Sequence, residues 1–550
     1  MRILLHIGSI PLVLAIAAFV TPILSLRIKN RYFYSAYLVA FSILSLYCSS
    51  YAMVELYRNG YKPILYPFGG WPPPLGIVYE VDFVNGVLGF TASLLMLFVS
   101  LYTLWYFSKI REGYEWLTTL LLLLLAGILG CLYTGDIFYF FIMLEVICIS
   151  SYALVAFFRR RKWAIEASAS YAFIGALATT LFLLGAIYIY ASFGTLNMAD
   201  IAAKSHGFSP EALSAWSGVC IGYQCVGNIA MASAVATALM LWALTFEAGI
   251  FPNNFWLPSA YSEAPTPASA LFAGIVDKVG TYGVLRILFT LFTAYGSVLT
   301  FRIGAIQFRD AILYVLSVLG LVTGYLGALL MAFQRDVKRL LAYSTISHIG
   351  ILFIVLAAGA STFSEEIVSL AIAALMLHMI THAIGESLLF LGLGTLAHVV
   401  GSRKLDLMAG QGKLYPVMGI AIALGVLSLL GVLPLAGFFS KYLLFLSMIR
   451  AGLVPHALSI ILISGISAIG YFRIIYTLFI LRPRVEKRES LILASSVCMA
   501  MSLLLLAIGI AFVLGYVMEP LIEGIKHVTT LHGVESYIHA AEALARALSG

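Results

Sequence analysis

The sequence has few charged residues and little polar surface to offer water. Only 10% of its 550 residues are Asp, Glu, Lys or Arg, whereas 62% are hydrophobic, and the mean hydropathy is +1.01. A soluble domain needs a far larger polar fraction than this. Because apolar runs recur almost from end to end, the composition indicates a single integral membrane domain.

Recognisable sites for metals, cofactors and catalysis are also missing. The six cysteines are scattered, with no CxxC pair and no Cys/His spacing suited to zinc or an iron–sulfur cluster. There is no nucleophile motif, Rossmann glycine pattern or P-loop, so we expect no cofactor, no metal and no catalysis by this chain alone. Cys220 and Cys225 are candidates for a disulfide, with buried free thiols as the alternative. The net charge of +7 comes from short loops and does not indicate nucleic-acid binding.

Long apolar runs predict fourteen membrane-spanning helices, since about 20 apolar residues cross the hydrocarbon core. The first run is too long for the apolar part of a signal peptide, so we expect it to be retained. The predicted spans are residues 3–26, 33–54, 82–107, 116–134, 136–158, 165–192, 222–250, 265–294, 309–333, 339–359, 367–397, 415–449, 456–481 and 489–517.

Proline interrupts two of these spans. The seventh ends in Gly249-Ile250-Phe251-Pro252, and the twelfth contains Pro434, so we expect both helices to be broken. The two breaks lie five spans apart, which is typical of a transporter built from two repeats.

Basic residues are distributed unevenly between alternate loops. Nineteen Lys and Arg residues fall on one side, and nine fall on the side that carries both termini. Cytoplasmic loops are enriched in Lys and Arg, so we predict a multi-pass cell-membrane protein with both termini on the outer face. The mixed polar and apolar chain after about Glu519 is expected to lie along the membrane surface.

Titratable residues occur inside segments that should lie in the bilayer. A charge at the bilayer centre is costly, so such residues face protein or water and are functional candidates. Three of them recur every four residues in the eleventh span, which places them on one helix face. The complete set is Glu145, Glu247, Asp277, Lys278, His348, His378, His382, Glu386 and Lys441.

A row of such groups, bridged by water, can pass protons, because histidine exchanges a proton near neutral pH. The alternative is a set of structural ion pairs that fix helix packing. Arg286 and Arg473 lie nearer helix ends, where snorkelling to the interface is sufficient to explain them. Glu166 is expected at the interface, and Asp136 and Asp310 at helix ends.

Four segments around these residues resemble the signature of a known family. They are PNNFWLPSAYSEAPTPASALFAGIVDKVGTYGVLR (252–286), QRDVKRLLAYSTISHIG (334–350), HMITHAIGESLLFLGLG (378–394) and PLAGFFSK (434–441). In this order they resemble the antiporter-like subunits shared by respiratory complex I, Mrp-type cation/proton antiporters and membrane-bound hydrogenases. The resemblance covers roughly residues 65–480, and GGWPPPLGIVYEVD (69–82) is most similar to the Mrp and hydrogenase branch.

The resemblance implies an all-α polytopic fold with two inverted five-helix repeats. The expected division is N-terminal helices (1–110), a first repeat (111–294), a second repeat (295–481) and a last span with an amphipathic tail (482–550). It also implies a non-redox subunit that moves protons, or sodium, within a complex of other membrane and peripheral subunits. Any oxidoreductase activity would then belong to those partners. By position, Glu145, Lys278, His348 and Lys441 match charged or titratable residues of the family.

Two positions depart from the family pattern. Glu247 and Glu386 stand where the family usually has lysine, and Asn254 and Tyr261 stand where it often has histidine. Glu145 would then face a second carboxylate, and two close carboxylates do not both ionise cheaply in a low dielectric. Three outcomes stay open: a shared proton, a bound cation such as sodium, or a first half that serves only as scaffold. The broader alternative is a non-conducting spacer subunit with a degenerate ion path.

Overall fold

The computed structural model describes residues 7–110, 112–207, 219–221, 224–226, 229–485 and 489–549. Within these ranges eleven helices are long and apolar enough to cross a membrane, and one bent pair raises the number to twelve. The polytopic all-α fold is therefore confirmed, with a helix count close to the fourteen predicted. The difference arises because the first, eighth and twelfth predicted spans consist of shorter helices.

A hairpin of two short strands interrupts the N-terminal helices. The antiparallel strands β1 (Ile64–Pro67) and β2 (Val78–Val81) pair with Leu65 opposite Glu80. Asp82 then caps the next helix in a capping box with Asn85. The helices of this part are α1 (Ile10–Ser25), α2 (Arg31–Arg58), α3 (Phe83–Tyr106), α4 (Tyr114–Tyr133), α5 (Ile137–Val155), α6 (Lys162–Phe193) and α7 (Met198–His206).

The middle of the chain contains the first broken helix and a span with two π-helical turns. The π turns are Phe272–Val276 and Ile287–Leu291, and the short strands are β3 (Val219–Ile221), β4 (Gln224–Val226), β5 (Arg302–Ile303) and β6 (Ile306–Gln307). The helices are α8 (Ile229–Ala248), α9 (Leu257–Glu263), α10 (Thr266–Leu271), α11 (Asp277–Arg286), α12 (Phe308–Phe333), α13 (Val337–Ile354) and α14 (Glu365–Val400).

The last part contains the second broken helix and the tail. Its helices are α15 (Gln411–Leu414), α16 (Pro416–Leu430), α17 (Ala436–Arg450), α18 (Val454–Ile475), α19 (Ile492–Val513), α20 (Met518–Thr529) and α21 (Leu531–Ser549). A third π turn, Tyr476–Ile480, follows α18, and single 3₁₀ turns cover Ile7–Ser9, Phe68–Gly70, Val355–Gly359 and Leu405–Met408.

Both predicted helix breaks are present. α8 is followed by Gly249 with a φ of 76°, and α16 is followed by Gly431 with a φ of 88°. These left-handed conformations favour glycine and end the helices. Pro252 and Pro434 come next and lack the amide hydrogen that helix continuation needs. The backbone therefore leaves the helical path inside two spans, where side chains must satisfy its free carbonyls.

The tail packs on the chain itself. Val534 and Ile538 of α21 are buried against Ala202 and Ala203 of α7, and Gly524 of α20 packs closely on Phe83 of α3. The apolar face that suggested contact with the membrane surface is thus used within the protein.

Some sequence predictions fall outside the described residues. Cys220 and Cys225 are Cα partners in the β3–β4 pair, but their side chains are outside the described part, so their disulfide stays a prediction. Arg111, Lys487 and Arg488, which are counted among the basic loop residues, also lie outside the described residues. The remaining four cysteines are free and buried.

α11, α13 and α14 form the buried centre of the molecule. α13 packs most closely on α12, where a Cβ atom on Gly350 would lie 2.5 Å from the Cα atom of Gly324. In membranes, small residues at such contacts let helix backbones approach, because packing replaces the hydrophobic driving force. This contact positions the α13 face that carries His348.

Gly350→Ala should therefore force α12 and α13 apart and destabilise the protein by about 1–3 kcal/mol, the usual cost of overpacking. Thermal unfolding in detergent measures the effect. Gly465→Ala in α18 is the matched control, since nothing lies within 4 Å of a Cβ atom there. Equal midpoints for the two variants would contradict the close packing.

Candidate functional site

The nine candidate residues lie on six helices around the buried centre. Glu145 and Lys441 are half-buried, and the other seven are at most 1% exposed. The carriers are α5 (Glu145), α8 (Glu247), α11 (Asp277, Lys278), α13 (His348), α14 (His378, His382, Glu386) and α17 (Lys441).

Asp277 and Lys278 form an ion pair at the start of α11. The Lys278 Nζ atom lies 2.8 Å from Asp277 Oδ1, and it donates a hydrogen bond of 2.6 Å to the carbonyl of Ala273. That carbonyl belongs to the π turn Phe272–Val276. π turns inside helices frequently mark functional sites. The turn gives the buried ammonium a second acceptor besides the carboxylate.

Two histidines continue the polar interior from α14 to α13. The His348 Nδ1 atom lies 3.0 Å from His378 Nε2, and their rings are stacked with centroids 5.2 Å apart. The other nitrogen of His378, Nδ1, lies 3.0 Å from the hydroxyl of Ser440 on α17. A neutral imidazole has one donor and one acceptor nitrogen, so each ring can take a proton on one side and release it on the other.

Two hydroxyl groups connect His348 to Glu386. The Tyr471 hydroxyl lies 3.2 Å from His348 Nε2 and 2.5 Å from the Ser344 hydroxyl, which donates to the Glu386 carboxylate. With the histidine pair, these contacts form one continuous hydrogen-bonded series across α13, α14, α17 and α18. We call it the polar chain; its members are Ser440, His378, His348, Tyr471, Ser344 and Glu386.

His382 lies beside the polar chain without joining it by a hydrogen bond. Its ring centroid is 4.7 Å from that of His348, and its Nε2 atom is 3.8 Å from Glu386 Oε1. Within the described residues, neither His382 nitrogen nor Glu386 Oε2 has a hydrogen-bond partner. Buried polar atoms are rarely left in this state, so these atoms are available to a transient proton or water.

Lys441 places a positive charge at the second helix break. Its Nζ atom donates a hydrogen bond of 2.6 Å to the carbonyl of Leu429 in the last turn of α16. The final carbonyls of a helix lack intrahelical partners and carry partial negative charge, which favours a cation there. Since Ser440 precedes Lys441, this lysine adjoins one end of the polar chain.

The first helix break has carboxylates instead. Glu247 lies two residues before Gly249, and its Oε2 atom accepts a long contact of 3.7 Å from the Cys148 thiol on α5. Its Oε1 atom has no hydrogen-bond partner in the described part of the chain. Glu145, one turn before Cys148, comes close enough to interact electrostatically with Glu247. The Cys148 thiol is thus the one side chain on α5 that the described contacts join to Glu247.

The interpretation of Arg286 as a snorkelling residue is wrong. Its side chain is 5% exposed and forms ion pairs with Glu80 and with Asp82, at 2.6 Å for the latter. The β1–β2 hairpin brings these carboxylates over the end of α11, which sequence spacing could not reveal. Arg473 is half-buried and bonds to the carbonyl of Ala332, and Asp136 caps α5 as expected.

Sequence reasoning also missed groups that do not carry charge. Tyr471, Ser344 and Ser440 are ordinary residues within apolar spans, and only their placement makes them part of the polar chain. One charged residue was missed as well: Lys338 of α13 is 6% exposed, and its Nζ atom bonds to the Ala264 carbonyl and the Ser269 hydroxyl. The spacing of four between Ser344 and His348 was the one available signal.

A buried row of charged and titratable groups between two broken helices defines the class of polytopic ion-transport membrane proteins. Residues 134–469, more than half of the chain, match the family described as NADH:quinone oxidoreductase/Mrp antiporter, TM. The chain belongs to this family, as its motifs indicated, and is one of its antiporter-like membrane proteins.

Known relatives come from both main branches. A component of the Na(+)/H(+) antiporter of Alkalihalophilus pseudofirmus is 31% identical over 401 residues, 72% of each chain. A component of the NADH-quinone oxidoreductase of Desulforudis audaxviator is also 31% identical, over 85% of this chain and 84% of its own. A chain of the archaeal membrane-bound sulfane sulfur reductase, a respiratory membrane complex, matches with a TM-score of 0.82 at 27% identity. That match covers 97% of this chain and 99% of the other.

Tyr471→Phe should destabilise the protein, because it removes the shared partner of His348 and Ser344. A buried group left unpaired costs about 1–3 kcal/mol. Thermal unfolding measures this, with Tyr476→Phe as the matched control at a site 54% exposed. Ser344→Ala should cost less when Tyr471 is already Phe. Strictly additive effects would refute the link between the two hydroxyls.

Proposed function

We propose that this chain is a non-redox, ion-translocating subunit of a multi-subunit membrane complex, and that protons are the ion it moves. The observation that carries the proposal is the polar chain. It joins Ser440, beside the second helix break, to Glu386 without a missing contact. Family membership supports an antiporter-like role, and the relatives named as antiporter and oxidoreductase subunits support assembly with other subunits.

Each candidate residue has a role in this proposal. Lys278 and Lys441 hold positive charge at the two ends of the row, and their proton occupancy sets the field felt by the groups between them. His348 and His378 relay protons through opposite ring nitrogens. His382 and Glu386 form a side branch where a proton is stored. Glu145, Glu247 and Asp277 complete the path toward the first break.

The chemistry of the path favours protons over sodium. Hard cations such as sodium prefer several oxygen ligands, whereas the polar chain, apart from the Glu386 carboxylate at its end, offers imidazole nitrogens and single hydroxyl groups. Protons need only one acceptor at each step, and hydrogen-bonded imidazole and hydroxyl groups supply it. Sodium remains the alternative at Glu145 and Glu247, because carboxylate oxygens are suitable ligands for a hard cation.

The division into two repeats and the orientation are part of the same proposal. Residues 111–294 and 295–481 would form the two ion-translocating halves, each with one broken helix. The excess of basic residues on one set of loops supports a cytoplasmic location for that side, with both termini outside.

One observation favours the alternative of a non-conducting spacer. Lys278 is tightly paired with Asp277, at 2.8 Å, and both side chains are at most 1% exposed. Such a pair can lock helix packing without exchanging protons. If the chain conducts protons, removing one of these charges should change pumping. If it is a spacer, the same substitution should change only the stability of the protein.

Lys441→Ala and Lys278→Ala, in the intact complex, should each lower proton pumping per turnover of the driving reaction, because each removes a charge that controls the row. Proton uptake by reconstituted vesicles, divided by the driving reaction, gives the ratio. Lys526→Ala, at an exposed tail position, is the control. A normal ratio in both lysine variants with full assembly would overturn the proposal. Lys441→Ala keeps the test informative if Lys278→Ala fails to fold, since Lys441 is only half-buried.

Glu145→Gln and Glu247→Gln should lower the same ratio if the first half carries a shared proton. Each substitution keeps the shape of the side chain and removes its titration. If both variants pump normally while Lys441→Ala does not, the first half serves only as scaffold. Loss of a sodium dependence of pumping in these variants would instead identify a sodium site.

A further inference from the structure

A second buried cluster of charges lies at the end of α11. Arg286, Glu80 and Asp82 have side chains that are 5%, 1% and 6% exposed. One guanidinium nitrogen, Nη2, contacts both carboxylates, with Asp82 Oδ2 at 2.6 Å. The nine candidate residues include none of these three, and the proposed path ends without them.

The charge count of this cluster is unbalanced. Two carboxylates share one guanidinium, so the cluster carries a net negative charge unless it also holds a proton. An uncompensated charge in a low-dielectric interior is costly, and a buried acid then tends to bind a proton instead. Asp82 is held by Arg286 and the Asn85 amide, whereas the Glu80 carboxyl pairs with Arg286 and lies within hydrogen-bonding reach of the Tyr537 hydroxyl. A protonated Glu80 can donate to that hydroxyl, so Glu80 is the acid suited to accept the proton.

The hairpin holds the two acids in fixed positions. Asp82 Oδ1 accepts a hydrogen bond of 3.0 Å from the Asn85 amide, and the Asn85 side chain donates one of 3.1 Å to the Glu80 carbonyl. Leu65 pairs with Glu80 across the hairpin. The geometry is therefore built by the backbone and does not depend on the ion pairs alone.

A stripe on α11 leads from the ion pair at Lys278 to this cluster. Lys278, Tyr282 and Arg286 are spaced by four residues and share one helix face. The Tyr282 hydroxyl accepts a hydrogen bond of 2.8 Å from Arg286 Nε and donates one of 2.8 Å to the Leu132 carbonyl. The Tyr282 hydroxyl therefore holds the Arg286 guanidinium in place at the end of the stripe.

The cluster lies at the C-terminal end of the predicted span 265–294, and this end is remote from the basic loops. The opposite end, at Thr266, borders a cavity of about 700 Å³ lined by Arg161, Lys162 and Arg403 among others. Arg286 is instead close to the hairpin and to the C-terminal helix α21, whose Tyr537 faces Glu80. The tail therefore covers the cluster.

The groups that face Glu80 come from three elements. Arg286 and Tyr282 belong to α11, Asp82 follows β2, and Tyr537 belongs to α21. Burial raises the pKa of Glu80 to about 7, with Asp82 raising it further and Arg286 opposing the shift. The carboxyl is accordingly protonated below about pH 7 and ionised above it, within the range in which a membrane pump works.

From this geometry we propose that Glu80, positioned by Arg286 and Asp82 and covered by Tyr537, is a proton-release site on the membrane face opposite the basic loops. A transported proton that reaches the cluster binds the Glu80 carboxylate and neutralises the cluster, and it then leaves Glu80 for water when the tail opens. This deepens the proposed function and rests on it, because it names the group through which the transported proton leaves.

Glu80→Gln in the intact complex tests the proposal. The substitution preserves size and leaves the Arg286–Asp82 pair balanced, so assembly should be normal. The rate of proton pumping should fall by about ten-fold, equivalent to an added barrier of ~1.4 kcal/mol. Its dependence on the pH of the release side, between about pH 6 and 8, should disappear because the titrating group is gone. Glu80→Asp should restore part of that dependence.

Glu519→Gln, at an exposed position of the tail, is the matched control and should leave both quantities unchanged. Tyr537→Phe should keep pumping and shift its pH dependence, since the phenol beside Glu80 is lost. Normal pumping with normal pH dependence in Glu80→Gln would show that the cluster only fixes the hairpin. If Glu80→Gln pumps normally while Lys441→Ala is impaired, the inference about Glu80 fails and the proposed function stands. If both variants pump normally, the inference and the proposed function both fail.

Discussion

The structure depends on the need to satisfy every polar group placed inside a membrane. Lys278 meets this need with a carboxylate and a π-turn carbonyl, and Lys441 with a carbonyl freed by a helix break. Each solution requires backbone that leaves regular α-helix, because a regular helix uses up its own carbonyls. Charge and irregular backbone therefore occur together, and the helices around them are fixed by that pairing.

The two helix breaks show how one backbone device supports different chemistry. Gly249 and Gly431 have the same left-handed conformation, and a proline follows each of them. The first break is preceded by the acid Glu247, and the second is followed by the base Lys441. An acidic side chain therefore lies before one break and a basic side chain after the other. This asymmetry gives the row of charges a direction.

Much of the fold could be predicted because the membrane makes sequence patterns simple. Apolar runs gave helices, glycine followed by proline gave breaks, and spacing of four put His378, His382 and Glu386 on one face. The sequence could not predict features that depend on contacts between segments distant in the chain. Arg286 is buried because a hairpin some two hundred residues earlier covers it, and Tyr471 matters because α18 crosses α13 at His348. Neutral hydroxyl groups leave no charge pattern from which such contacts could be inferred.

The stacked imidazoles of His348 and His378 have a consequence for timing. When a proton enters one side of a neutral ring and another leaves the opposite side, the ring is left in its other tautomer. Both rings must then return to their starting state before a second proton can follow in the same direction. In the proposed path the pair would therefore pass one proton for each return of both rings to their starting tautomers. Any movement of the surrounding helices that permits this return would then limit the rate of the proposed transport.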